Sequence, residues 1–244
     1  MHFLPFIERP VNQGVITMSK PSFSTAERLN AIQLVLANSS TYPEIQERMA
    51  AYGFDEQALA EGQALYDQAQ QAVFDQDKNT AEARSLAAAE RRSKKAAWVS
   101  YQELAKILRA HFIDQPQVLA GLALNGRTPR ATAAFLHRAR TLIQAVESDP
   151  AVVEALAAYN IDEARLAQHR DAIEAYASAN EQHEAARAAQ QVSTKQQRDA
   201  MSVSWDWRAR FVKVARVALR EQKELLEALG VRVVPRKKPK REMM

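Results

Sequence analysis

Residues 51–59 read AYGFDEQAL, and residues 158–166 read AYNIDEARL, the same motif after 107 positions. Gly53 aligns with Asn160, and glycine and asparagine are the residue types that most readily take the left-handed conformation that ends a helix. Asp55 and Asp162 follow two positions later. Both are expected as N-caps, with Glu56 and Glu163 placed for the positive end of the next helix dipole. The motif is a helix stop and restart, so capping accounts for both aspartates without catalysis. Phe54 and Ile161 are expected to anchor the junction in the core.

Working outward, STAERLNAIQLVL sets Ser24 and Glu27 at capping-box spacing, which predicts a helix over 25–38. Its counterpart, TPRATAAFLHRAR, offers Thr128 as N-cap and Pro129 as the first helical residue. Pro43 and Pro150 each open a short helix of roughly ten residues. From Asp55 to about Phe112, and from Asp162 to about Leu229, the pattern is helical nearly throughout. One straight helix of that length would exceed roughly 80 Å, so a hairpin is the expected solution, with Asn79 or Thr80 capping its second arm. The middles, 75–95 and 181–199, lack large apolar residues and are expected to project beyond the core. Bulky side chains return in AAWVSYQELAKILRAHF and MSVSWDWRARFVKVARVAL, where Trp98 aligns with Trp205. These two tryptophans are expected in the core; contact with a ligand is the alternative, given Arg91, Lys94, Lys95, Arg208, Arg210 and Lys213 beside them.

The fold class expected is therefore all-α. An internal duplication of about 107 residues would give two antiparallel bundles, 22–127 and 128–235, related by a pseudo-two-fold axis. Residues 1–21 are set aside as a disordered or mis-assigned arm and 236–244 as a basic disordered tail. Gly53→Val is expected to destabilise more than Gly62→Val, because only Gly53 needs a left-handed backbone.

Composition narrows the function classes. The chain has 244 residues, 47% of them apolar, with much of that alanine, and no cysteine. Disulfides and thiolate metal sites are excluded, and a cytoplasmic location is expected. No stretch approaches a membrane span, and the apolar run at the N-terminus is too short for a signal peptide. Five of the 33 basic residues and one of the 29 acidic residues lie in 236–244, so the net +4 belongs to the tail. Arg236, Lys237, Lys238, Lys240 and Arg241 are candidate contacts for a nucleic acid or other polyanion.

Neither a phosphate loop nor a nucleophile elbow is present. His111, His137, His169 and His183 each lack a Glu three positions earlier, so no di-metal bundle site is expected, and these histidines are placed at the surface or its boundary. Gly126 and Arg127, in LNGRTP, are assigned to a linker. No catalytic set, metal or cofactor is expected. The favoured reading is a non-enzymatic interaction or structural protein, monomeric or homodimeric, with a protein partner. Its rival is an anionic-ligand binder or enzyme that gathers Lys106, Arg109, Lys213 and Arg216 in a cleft between the copies.

Overall fold

The computed structural model describes residues 23–233 and is all-helical over them. The expected arm 1–21 and tail 236–244 lie outside the described residues. Eight helices follow in order: α1 Thr25–Thr41, α2 Pro43–Ala50, α3 Glu56–His111, α4 Pro116–Gly121, α5 Thr132–Ser148, α6 Pro150–Ala157, α7 Glu163–Ala218 and α8 Lys223–Ala228. Each of the last four begins and ends 107 residues after one of the first four, as 132 after 25 and 163 after 56 illustrate.

Local chemistry sets these ends. Ser24 N–H donates to Glu27 Oε2 at 2.7 Å and Glu27 N–H donates back to Ser24 Oγ at 3.2 Å, closing the capping box of α1. Pro43 and Pro150 open α2 and α6. After α2, Gly53 has φ +83°, and the N–H groups of Gly53 and Phe54 donate to Ala50 and Met49. After α6, Asn160 has φ +57°, with Asn160 and Ile161 donating to Ala157 and Leu156. These paired bonds satisfy carbonyls that a helix end would otherwise orphan. Asp55 Oδ1 then accepts from Ala58 N–H at 3.0 Å, and Asp162 Oδ1 from Arg165 N–H at 2.8 Å.

Helices α4 and α8 end the same way, and here the residue types diverge. Gly230 has φ +69°, while the residue at the equivalent place, Ala123, has φ +53°. Alanine in this region brings Cβ close to the following carbonyl.

Two expectations at helix boundaries are corrected. Thr128 does not cap α5, which begins at Thr132 after Ala131; instead Thr128 Oγ1 accepts from Gln102 on α3 at 3.3 Å. Nor does α3 fold into a hairpin. It runs 56 residues through Asn79 and Thr80, about 84 Å at 1.5 Å per residue. Thr80 Oγ1 accepts from Gln76 within α3 and from Gln190 on α7, so its hydroxyl is satisfied sideways rather than used to start a helix.

The chain forms two compact units, which cross the expected boundary at 127/128. Over the described residues, the first unit comprises 23–66 and 203–233, and the second comprises 67–202. In the first, Ile32, Val35, Ile45 and Met49 pack with Phe211, Ala215, Leu219 and Leu229. In the second, Tyr101, Leu104 and Leu108 pack with Phe135, Leu142, Val146, Leu156, Ile173 and Tyr176. Each such buried side chain is worth roughly 1.5–3 kcal/mol of transfer free energy.

Within the second unit, α3 and α7 run antiparallel. Thr80 meets Gln190, His183 Nδ1 lies 3.2 Å from Glu90 Oε2, Ser100 meets His169, and Glu103 meets Arg165. The middles expected to project are therefore set against each other, with Ala83, Ala186 and Ser193 buried. Small side chains let the two backbones approach where bulky residues are lacking.

In the first unit the tightest juxtaposition is Gly62 beneath Trp207, whose side chain is 2% exposed. A Cβ built on Gly62 would lie 2.5 Å from Trp207 Cε2, whereas one on Gly53 meets nothing within 4 Å. Gly53, at φ +83°, is strained by any side chain as expected, and Gly62 is constrained as well, by the ring above it. Gly62→Val should melt well below Gly53→Val, because it adds overpacking of about 1–3 kcal/mol or more that cannot be relieved by a flexible side chain. In a denaturation cycle, Gly62→Ala combined with Trp207→Leu should cost less than the sum of the single changes; additivity would remove this contact from the account. Ala123→Gly should raise the melting temperature, releasing about 1 kcal/mol of left-handed strain less the extra entropy of an unfolded glycine. A fall would contradict that reading of its φ.

Candidate functional site

A hollow of about 800 Å³ lies in the first unit between the end of α1, α2 and the start of α3. Leu36, Phe54 and Leu59 give it an apolar floor, and Glu47, Asp55 and Glu56 supply carboxylates with no basic residue among its lining. Phe54 is held edge-on to Phe211, with ring centroids 5.0 Å apart, and to Trp207 at 6.2 Å. The floor is thus fixed by the core behind it. Asp55 is also the N-cap of α3, so one of the carboxylates is committed to structure.

The second unit has a hollow between α5 and α7 that shares three aligned positions with that of the first unit, lined by Ile143, Gln144, Ile173 and four charged residues, and its volume is about 220 Å³. Two ion pairs bridge α5 to α7 across it. Arg140 binds Glu174 through two bonds of 2.8 and 2.6 Å, and Arg170 Nη1 donates to Glu147 Oε1 at 2.8 Å. The Arg140 bond lowers the Glu174 pKa and raises that of Arg140. Such half-exposed pairs contribute about 0–1 kcal/mol each. At the positions 107 residues earlier stand Gln33 for Arg140, Ser40 for Glu147 and Gln63 for Arg170. Asp67 stands for Glu174, so one of the four charges is kept.

A second polar hollow, about 490 Å³, lies in the second unit and is lined by Ser100, Glu103, Asn160, Asp162, Arg165 and His169, among others. Ser100 Oγ is 2.5 Å from His169 Nδ1, and His169 Nε2 is buried without a partner among the described residues. His169 is 5% exposed, which corrects its expected place at the surface. Burial lowers its pKa most, Glu103 opposes that shift, and Arg165 adds to it. A hydroxyl beside a neutral imidazole is the pairing of nucleophile and base. Ser100, however, sits deep inside α3, where backbone N–H groups are engaged by the helix and do not point at a reacting oxygen.

Of the residues singled out from sequence, the caps Asp55, Asn160 and Asp162 line these hollows, whereas the candidate ligand contacts do not. Lys106, Lys213 and Arg216 are exposed, and Arg109 donates through Nε and Nη2 to the Leu124 carbonyl at 3.3 and 3.0 Å. Trp98 is partly buried and stacks on Phe135 with centroids 5.1 Å apart. Trp205 is partly buried as well, between the guanidinium groups of Arg208 and Arg28, 4.9 and 5.6 Å from its ring centroid. The fully enclosed tryptophan is Trp207. Arg236, Lys237, Lys238, Lys240 and Arg241 lie outside the described residues. No group of three metal-ligating side chains occurs among the described residues, and no helix there is long and apolar enough to cross a membrane.

Sequence reading missed the open cleft. Its signal was present as a difference in charge: Arg140, Glu147 and Arg170 against Gln33, Ser40 and Gln63 at the positions 107 residues earlier. Comparison of the chain with protein-family models, with curated proteins and with solved structures gives no match.

The buried imidazole generates a pH dependence with a definite sign. Because the folded pKa of His169 is below its ordinary value, the unfolded chain binds the proton first as pH falls. Its contribution is intact above the ordinary histidine range and is lost as pH falls from about 6.5 through the lowered folded value. His169→Gln should therefore lose less melting temperature than the parent between pH 7 and pH 5; parallel losses would show that His169 is not the group responsible.

Proposed function

We propose that this chain is a non-enzymatic helical interaction protein whose open cleft, between α1, α2 and the start of α3, receives a cationic amphipathic segment of a partner protein. The observation that supports this reading is the contrast between the two clefts, about 800 Å³ with no basic residue in the lining against about 220 Å³ crossed by two ion pairs. An apolar floor rimmed by Glu47 and Glu56 suits a helix or turn that presents leucine-like side chains inward and lysine or arginine at its edges. The carboxylates favour that occupant over an acidic one. On the same reading the chain is a duplication of about 107 residues forming two similar bundles. The equal helix lengths at a constant spacing support it. One copy kept its cleft open for binding while the other stabilised it closed.

The basic tail adds a weak tether to a polyanion in this proposal, and the protein acts in the cytoplasm. The rival function, an anionic ligand gathered by Lys106, Arg109, Lys213 and Arg216, has less support because Arg109 is already engaged by a backbone carbonyl.

The second unit supplies the design of the test. Ser40→Glu with Gln63→Arg transplants the Glu147–Arg170 bridge into the open cleft. A fluorescent amphipathic peptide of leucine and lysine at helical spacing should bind the parent protein, more weakly as salt is raised. The bridged variant should bind it at least tenfold more weakly with an unchanged melting temperature, and Glu47→Gln should weaken it by a smaller factor. Equal binding by parent and bridged proteins would rule out the cleft as the docking site.

A further inference from the structure

Helix α3 turns a straight row of cations outward in the second unit. Arg84, Arg91, Lys95 and Lys106 follow one another at steps of seven, four and eleven residues, each close to a whole number of helical turns, so they share a face. All four are exposed, as are Arg92 and Lys94 beside them. The row is about 33 Å long at 1.5 Å per residue. The acidic residues on this stretch are engaged elsewhere: Glu90 with His183 and Glu103 with Arg165. None of the six cations forms an ion pair among the described residues, whereas Arg140, Arg165 and Arg170 of the same unit all do.

A second strand of positive charge joins the first. Gln102 Nε2 donates to Thr128 Oγ1 at 3.3 Å, which ties the segment before α5 to α3, and that segment carries the exposed Arg127 and Arg130. Arg138 Nη1 donates to the Arg127 carbonyl at 2.6 Å and fixes its backbone. From 91 to 140 the chain has ten basic residues against Glu103 and Asp114 alone.

We propose that this face of α3, with Arg127 and Arg130, binds the phosphate backbone of duplex nucleic acid. Unpaired exposed cations gain most from an anionic polymer, whose condensed counterions they release. A row along a rigid helix fits phosphates strung along a duplex, and its rigidity means that little ordering entropy is lost on binding. An anionic membrane is the poorer fit, since Val99 is the one large apolar side chain exposed on the row and offers little to insert. The outward polar residue, Gln102, is held by Thr128, so contacts are to the backbone and sequence preference is weak. The site is separate from the cleft of the first unit and does not depend on it.

The test uses the full chain and a labelled mixed-sequence DNA duplex of about 25 base pairs, titrated between about 50 and 200 mM salt. Arg91, Arg92, Lys94 and Lys95 are all changed to Ala in one variant, and the five tail cations are changed to Gln in another. The parent should bind, and the α3 variant should bind at least tenfold more weakly at the lowest salt. The slope of log affinity against log salt should fall in magnitude by about 3–4, near 0.9 per lost phosphate contact. Lys94 Nζ stands 5.8 Å from the ring centroid of the buried Tyr176, so a second variant that keeps Lys94 and changes only Arg91, Arg92 and Lys95 to Ala should melt with the parent and still bind several-fold more weakly, and Arg91→Lys with Arg92→Lys should restore most of the affinity. The proposal is overturned if the parent fails to bind duplex, if the tail variant alone abolishes binding, or if the α3 variant binds like the parent. Binding to vesicles rich in phosphatidylserine, with none to duplex, would overturn it in favour of a membrane surface.

Discussion

Gly62 lies under the Trp207 ring in the first unit, and Ser100 faces His169 in the second. These four residues are two pairs of aligned positions, Gly62 with His169 and Ser100 with Trp207, each 107 apart. A large side chain meets a small one in both layers, and in both the large one comes from α7. Suppose instead that each long helix doubled back near its middle with the same contacts. Gly62 would then face Ser100 and leave a void, and His169 would face Trp207 and crowd it. A cavity and an overpacked layer cost about 1–5 kcal/mol each, a large share of the stability of a domain. Side-chain volume thus selects the exchange of partners between α3 and α7, and the polar middles of those helices follow because they have no other surface to lie against.

This constraint explains which parts of the fold were legible from sequence. Helix ends are written locally. The capping box at Ser24, the prolines at 43 and 150, and the turns at Gly53 and Asn160 depend on residues within one or two turns of each other. What Asn79 and Thr80 do depends instead on a helix more than a hundred residues away, and a residue type that can cap does not announce that its hydroxyl is needed sideways. Thr128 misled for the same reason, its hydroxyl being claimed by Gln102. Gly62 carried no local signal at all, since a glycine inside a helix is recognised as necessary only when the ring above it is known. Ala123 shows the converse case, a left-handed position occupied by a residue whose type conceals it.

The candidate site was less legible than the fold, and the cause is physical. A cleft is a property of three helices at once, and whether it is open turns on side chains that meet only across it. Leu36, Phe54 and Leu59 read as core in the sequence, and their counterparts Ile143, Ile161 and Leu166 also do. The charges of Arg140, Glu147 and Arg170 have no counterpart at Gln33, Ser40 and Gln63. Charge is distributed unevenly in the second unit as well: the row on α3 is unpaired, while the arginines of α5 and α7 are matched to glutamates. Both binding readings rest on the same kind of asymmetry, a balance kept in one part of the molecule and abandoned in another.

The division of the first unit between 23–66 and 203–233 bears on how the chain reaches its native state during synthesis. Ile32, Val35, Ile45 and Met49 leave the ribosome well before their partners Phe211, Ala215, Leu219 and Leu229. At about 5–20 residues per second, the early helices wait on the order of ten to forty seconds with an uncovered apolar face. The second unit is contiguous and can close while they wait. Closing the first core brings together segments from opposite ends of the described residues, and the entropy of closing so long a loop slows that step relative to closure of the second unit. During that interval α1 and α2 are the segment of this protein that a chaperone would be expected to hold.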